Sequence, residues 1–239
     1  MGVTMAPTLV LLHGFTHTGA SWAPVRASLG ESYRALAPDI RGHGLAAAAR
    51  PITLEAVVAD VSALVHGPFA LAGYSMGGRI ALHVALALPE ALQRLVLIGA
   101  SPGIADAGER EARRRADERL AEEIESIGIE QFAERWERSP LLAGQPPSSR
   151  RDRLRNTPQG LARALRGLGT GALPPLWGRL GDLRVPVTLI AGERDEKFVA
   201  IARQMARLLP DARLELVAQA GHAVHLEAPE EVARIIRER

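Results

Sequence analysis

The sequence predicts an α/β protein in which a mostly parallel central sheet is flanked by helices and carries an inserted helical lid. Three observations lead there. Through the first half of the 239-residue chain, short apolar runs alternate with longer amphipathic stretches, the pattern of strand and helix units laid on a parallel sheet. Most of the apolar runs are followed within two residues by Gly or Pro, as expected of loops at the carboxyl ends of parallel strands. Between residue 103 and about residue 184 no convincing strand is found. The expected division is therefore a core of residues 1–102 and 177–239 with a helical cap at 103–176.

The strands are expected at 8–12, 34–37, 69–72 and 95–98 and, after the long gap, at 187–191 and 214–217. A helical run at 78–88 follows the third. In the gap, 109–128 reads as a charged amphipathic helix, with Ala116, Leu120, Ile124 and Ile127 at spacings of 4, 4 and 3. Farther on, Thr157 can cap a helix whose first turn accepts Pro158, and Leu161, Leu165 and Leu168 form its apolar stripe. Three or more cap helices fit.

Composition narrows the chemistry. With 47% hydrophobic residues and a mean hydropathy of +0.02, the chain can bury a large core and is neither disordered nor fibrous. No apolar run approaches the length needed to span a bilayer, and the first residues show neither an export leader nor a lipid anchor, so a cytoplasmic protein is expected. The absence of cysteine excludes disulfides, thiolate catalysis, thiolate-zinc sites and iron-sulfur clusters. Oxygen and nitrogen groups must do the work. A net charge of +2, from 29 basic and 27 acidic residues, is too small for a nucleic-acid footprint despite a pI near 9.6. Arginine dominates the basic residues, Lys197 being the sole lysine. Residues 103–176 hold 13 arginines against 12 acids, which reads as solvated helix faces.

The sharpest motif is Gly73-Tyr74-Ser75-Met76-Gly77, a G-x-S-x-G between an expected strand and an expected helix. Its glycines permit the tight turn that lifts a serine oxygen above the sheet. A serine is a weak nucleophile or base until a histidine, oriented by a carboxylate, takes its proton. His222 follows the last strand and Asp195 the one before it, so Ser75, Asp195 and His222 can converge above the sheet. His225 is a competitor but reads as the start of the final helical segment, and His13, His17, His43, His66 and His83 are also present; Glu193 and Glu196 flank Asp195. An oxyanion hole needs two backbone N–H donors, expected from Met76 and, in the loop after the first strand, from Phe15.

The blocks Leu12-His13-Gly14-Phe15, Asp39-Ile40-Arg41-Gly42-His43-Gly44, Gly73 to Arg79, Gly192 to Phe198 and Gly221 to His225 resemble those of the alpha/beta hydrolase superfamily. Within it the chain resembles the 2-succinyl-6-hydroxy-2,4-cyclohexadiene-1-carboxylate synthases of menaquinone biosynthesis, over nearly its whole length. That narrower likeness rests on Arg79 after Gly77-Gly78, on the Asp195-Glu196-Lys197-Phe198 tail and on the cap. It implies a lyase that eliminates pyruvate from a polycarboxylate with the serine triad as base, working as a monomer or small homo-oligomer with no metal or organic cofactor. A serine hydrolase of the same fold and, less favoured, a non-catalytic ligand-binding protein stay open.

Spacing supports a polycarboxylate substrate independently. Arg79 lies four residues past Ser75, one helical turn along the same face. A buried cation there needs an anion, and guanidinium grips carboxylates in a bidentate way. In the cap, Arg113 falls about 20° from Leu120 on the apolar face, while Arg114 and Arg115 fall far from it. The resemblance adds Arg155 and Trp136 as cap residues lining the substrate pocket, with Tyr74, beside the serine, as a further substrate contact.

Overall fold

Leu9 and Leu11 face one side of the first strand and Val10 and Leu12 the other, and all four are buried. A strand that buries both faces belongs inside a helix-covered parallel sheet. The computed structural model, which describes residues 6–139, 142 and 144–238, has that arrangement. Its strands are β1 (Thr8–Leu12), β2 (Arg34–Leu36), β3 (Phe69–Tyr74), β4 (Leu92–Ile98), β5 (Val187–Gly192) and β6 (Ala212–Val217). They lie in the order β2-β1-β3-β4-β5-β6, all parallel. After β1 the chain crosses one way to β2, then returns to β3 on the other side. Connections diverge above β1 and β3, leaving a crevice at their carboxyl ends, the usual place for a site in such sheets.

Two apolar layers fix the helices. On one face α2 (Leu54–Leu64), α3 (Met76–Ala87) and α7 (Glu196–Ala206) pack on Val10, Leu71, Leu97 and Leu189. On the other, α1 (Ala23–Leu29), α8 (Val224–Glu227) and α9 (Pro229–Arg237) cover Leu9, Leu11, Val96 and Ile190. Between β4 and β5 stand the cap helices α4 (Ala107–Glu137), α5 (Ser148–Arg153) and α6 (Pro158–Leu168), with a small core of their own around Ala121, Ile124, Phe132, Leu161 and Leu165. Phe15, in the loop after β1, packs against it. Thr157 does cap α6, its hydroxyl accepting from Gly160 N–H at 3.1 Å.

The differences from the sequence reading are local. β4 begins at Leu92 because Leu92 and Arg94 already pair with β3. The first cap helix does not end at Gly128; that residue takes φ 80°, which glycine tolerates, and the chain resumes a helical course to Glu137. Asp117 and Ala121, rather than Ala116, lie at the centre of its buried face. Among the described residues no helix is long and apolar enough to cross a membrane. Residues 1–5, where no leader is expected, lie outside the described residues.

Candidate active site

Tyr74 ends β3 and Met76 begins α3, so Ser75 alone makes the turn from strand to helix. Its φ of 52° and ψ of −110° lie where side-chain-bearing residues rarely go, at a cost of order 1–3 kcal/mol. The backbone holds it there: its N–H donates to the Ile98 carbonyl at 2.9 Å, and its carbonyl accepts from Arg79 N–H at 3.0 Å. Close approach of α3 to β1 requires Gly77, where a Cβ would stand 2.3 Å from the Leu12 carbonyl oxygen.

His222, in the loop after β6, places Nε2 3.0 Å from Ser75 Oγ and Nδ1 2.6 Å from Asp195 Oδ2. A carboxylate only accepts, so Nδ1 carries the proton and Nε2 is left to accept from the serine hydroxyl. Asp195 caps α7, its other oxygen accepting from Phe198 N–H at 3.3 Å; the helix N-terminus favours its negative charge. The loop of His222 is gripped on both sides, because Gly221 N–H and Ala223 N–H donate to the two oxygens of Glu227 at 2.7 and 3.1 Å. Room for the imidazole comes from Gly99, at φ 53°, where a Cβ would lie 3.0 Å from His222 Cε1. The geometry is that of a serine poised to give its proton to a histidine held in one tautomer.

The competitors are placed elsewhere. His225 is fully buried, its ring 4.2 Å from that of Tyr74 and 4.8 Å from that of Trp22. Glu193 and Glu196 are exposed. His13 donates from Nδ1 to the Gly14 carbonyl and accepts at Nε2 from Ile40 N–H, each at 2.9 Å, which braces the turn that follows β1.

Above Ser75 lies a cavity of about 300 Å³ roofed by the cap. Phe15 and Met76 both line it, and Met76, as the first residue of α3, has an N–H with no acceptor inside its helix. Trp136 and Leu120 come from the cap, the Trp136 ring standing edge-on to that of Phe15 at 5.7 Å. Three cations reach the cavity: Arg79, Arg113 and Lys197. Arg79 is 7% exposed. Its Nη2 donates to the Leu168 carbonyl at 3.3 Å, its Nε is unpartnered, and among the described residues no carboxylate pairs with it. Burial, then the neighbouring Arg113, push its pKa down to about 10, which still leaves it charged at neutral pH. Arg113 opens to solvent and is held by the buried Asp117 at 2.7 Å, which also accepts from Gly171 N–H.

Two expected substrate contacts are corrected. Arg155 lies away from the serine, in an open cleft it shares with Arg26 and Asp39; in the tight turn after α5 it is Asn156 that points inward, and its neighbour faces the other way. Tyr74 does not line the cavity. Alternation along β3 puts it with Ala70 and Ala72 on the α1 and α9 side, where its ring supports those of His222 and His225. Lys197 and Asp117 are the groups the sequence reading missed. The signals were present, since Lys197 stands two residues past Asp195 and Asp117 one helical turn past Arg113.

Buried histidines away from the cavity wall make the fold acid-sensitive. Burial lowers the pKa of His13 to about 4 and of His43 to about 3, burial followed by Arg79 lowers His83 to about 4, and burial depresses His17 and His225 as well. All five fold as neutral groups, whereas the unfolded chain protonates them near 6.5. The unfolded state therefore binds more protons below that pH, so stability is full above about 6.5 and drains away as the pH falls from there towards about 4. Urea midpoints should hold from pH 7.5 to about 6.5 and fall from there to pH 5; a flat profile down to pH 5 would contradict neutral burial.

The crevice position, the strained serine and the Ser75-His222-Asp195 array define a class, and the match of residues 9–235 to the alpha/beta hydrolase family shows that this chain belongs to it. A protein of Serratia proteamaculans (strain 568) named 2-succinyl-6-hydroxy-2,4-cyclohexadiene-1-carboxylate synthase is 33% identical over 97% of this chain and 92% of its own. A Bacillus subtilis (strain 168) protein provisionally given the same name is 38% identical over 99% of this chain and 91% of its own. Among solved structures, MenH from S. aureus superposes with a TM-score of 0.93 at 33% identity, over 98% of this chain and 93% of that one. A malate-bound thermophilic esterase from Thermogutta terrifontis shares the fold at a TM-score of 0.78 and 27% identity, over 98% of this chain and 90% of that one. Within the alpha/beta hydrolases, then, the chain belongs to the 2-succinyl-6-hydroxy-2,4-cyclohexadiene-1-carboxylate synthase family.

Proposed function

We propose that the protein is a carbon-oxygen lyase of menaquinone biosynthesis that converts 2-succinyl-5-enolpyruvyl-6-hydroxy-3-cyclohexene-1-carboxylate into 2-succinyl-6-hydroxy-2,4-cyclohexadiene-1-carboxylate and pyruvate. The observation that carries this reading is Arg79, a buried and charged guanidinium on the wall of the Ser75 cavity that, among the described residues, no carboxylate pairs with, Asp117 acting on it only from a distance. Such a group is costly unless a ligand supplies the anion. A substrate with carboxylates on its ring, succinyl arm and enolpyruvyl arm does so, and Arg79, Arg113 and Lys197 are three cations to meet three anions.

The names of substrate and product dictate the bond changes. A 3-ene becomes a 2,4-diene, so the proton leaves ring carbon 2, the double bond moves, and the carbon-oxygen bond at ring carbon 5 breaks. Carbon 2 is next to the succinyl ketone. Ser75 Oγ, its own proton passed to His222 Nε2, removes the carbon-2 proton, and Asp195 stabilises the imidazolium formed. Negative charge gathers on the ketone oxygen, where the N–H groups of Phe15 and Met76 receive it, each such donor being worth about 3–4 kcal/mol. Collapse of that enolate expels the enolpyruvyl oxygen, and the departing enolate takes a proton to become pyruvate.

Incubation with the purified intermediate, following pyruvate and the conjugated diene together, tests this reading. One pyruvate per diene is expected. Brisk hydrolysis of small neutral esters with no pyruvate from the intermediate would replace the lyase with a serine hydrolase.

A further inference from the structure

The turn that supplies Phe15 is strained and does not hold itself. Residues 14–17 close a four-residue turn in which His17 N–H donates to the Gly14 carbonyl at 3.2 Å. Its third position is Thr16, at φ 70° and 1% exposed. A β-branched residue in the left-handed region is a genuine outlier, since glycine or asparagine normally fills that place. Something outside the turn must keep it there.

That support comes from the cap. Asn156 Nδ2 donates to the Thr16 carbonyl at 2.7 Å, and Arg153 Nε donates to the Thr16 hydroxyl at 3.3 Å. Asp152 takes the next two residues, accepting from Thr18 N–H at 3.0 Å and from the Thr18 hydroxyl, with His17 Nδ1 at 3.1 Å. Asn156 Oδ1 in turn accepts from Gly44 N–H at 3.0 Å, tying in the loop beyond β2. Asp152, Arg153 and Asn156 are all buried, so water does not compete for these bonds. Three consecutive residues after Phe15 are thus bound by the last two residues of α5 and by Asn156 in the turn that follows it.

We propose that Asn156, with Asp152 and Arg153, is a positioning residue that clamps the Gly14–His17 turn so that Phe15 N–H points at the oxyanion. The cap is on this account part of the catalytic frame as well as the wall of the substrate cavity. The proposal rests on the assignment of Phe15 as an oxyanion donor in the lyase reaction. Because the clamp touches no substrate, its loss acts on the transition state and spares ground-state binding.

Asn156→Ala is expected to lower kcat for pyruvate release about 10- to 30-fold while KM moves less than about twofold. Asn156→Asp keeps the acceptor for Gly44 N–H but loses the donor to Thr16, so it should lose as much; recovery in that variant would reduce Asn156 to a fastening for Gly44. Glycine accepts φ 70° without strain, so adding Thr16→Gly to Asn156→Ala should restore at least threefold in kcat. Hydrogen exchange over residues 13–19 should quicken in Asn156→Ala, with the β3 and β4 segments unchanged, and this readout does not depend on the substrate. If the wild type released no pyruvate, the lyase reading would fall while the exchange still judged the clamp. Unchanged exchange, an unchanged kcat, a loss confined to KM or failure of Thr16→Gly to rescue would each overturn the proposal. If Asn156→Ala loses its cooperative melt, Asn156→Asp, which keeps the side chain's size and the bond from Gly44 N–H, takes its place and is held to the same outcomes.

Discussion

Ser75→Ala should cut pyruvate formation by about three orders of magnitude or more, while the protein remains folded and binds the intermediate with near wild-type affinity. The side chain is small and stands at the mouth of the turn, so its loss leaves no void in the core. What disappears is the oxygen that hands its proton to His222 and takes one from the ring. His222→Ala and Asp195→Asn should each be costly, and their effects should not multiply in the double variant, because an imidazole without Asp195 loses the tautomer that accepts from serine. Multiplicative losses would mean that the two residues act independently. The backbone provides a second measure: at φ 52° an alanine stays strained and a glycine does not, so Ser75→Gly should be more stable than Ser75→Ala by about 1 kcal/mol. Equal melting temperatures for the two would show that the turn stores no strain.

The sheet and the triad were legible because each obeys a strict local rule. Apolar runs with a turn residue after them mark buried parallel strands, and Ser75, Asp195 and His222 stand in the loops directly after β3, β5 and β6. Distance along the chain then becomes proximity above the sheet. Arg79 followed from one helical turn, and Arg113 from its azimuth relative to Leu120. Where no periodicity applies the reading lost its grip. Arg155 and Asn156 are neighbours in an irregular turn, and only the packing of α5 on the loop after β1 decides which of them points inward. Asp117 went unseen for a different reason: a stripe of apolar residues does not register a buried carboxylate whose partners are Arg113 and the distant Gly171 N–H. Tyr74 could have been placed, since the period of two along β3 already groups it with Ala70 and Ala72.

Replacing Arg79 should move activity and stability in opposite directions. If Arg79 binds a substrate carboxylate as proposed, its loss in Arg79→Ala should cost about 2–5 kcal/mol in kcat/KM, and Arg79→Lys should recover only part of this, because an ammonium cannot present two parallel N–H donors to a carboxylate. Small neutral esters, if turned over at all, should be indifferent to either change. The folded protein carries this charge at a cost: burial and the nearby Arg113 both disfavour it, with Asp117 offsetting them in part, its Nε has no partner, and among the described residues only the Leu168 carbonyl accepts from it. Arg79→Met keeps most of the volume and removes the charge, so it should stabilise the fold by about 1–4 kcal/mol while losing activity like the alanine variant. Thermal melts of the ligand-free proteins decide the point. An Arg79→Met protein that melts lower than wild type would mean that Arg79 holds the fold together, and the argument that its unpaired charge awaits a substrate carboxylate would fail.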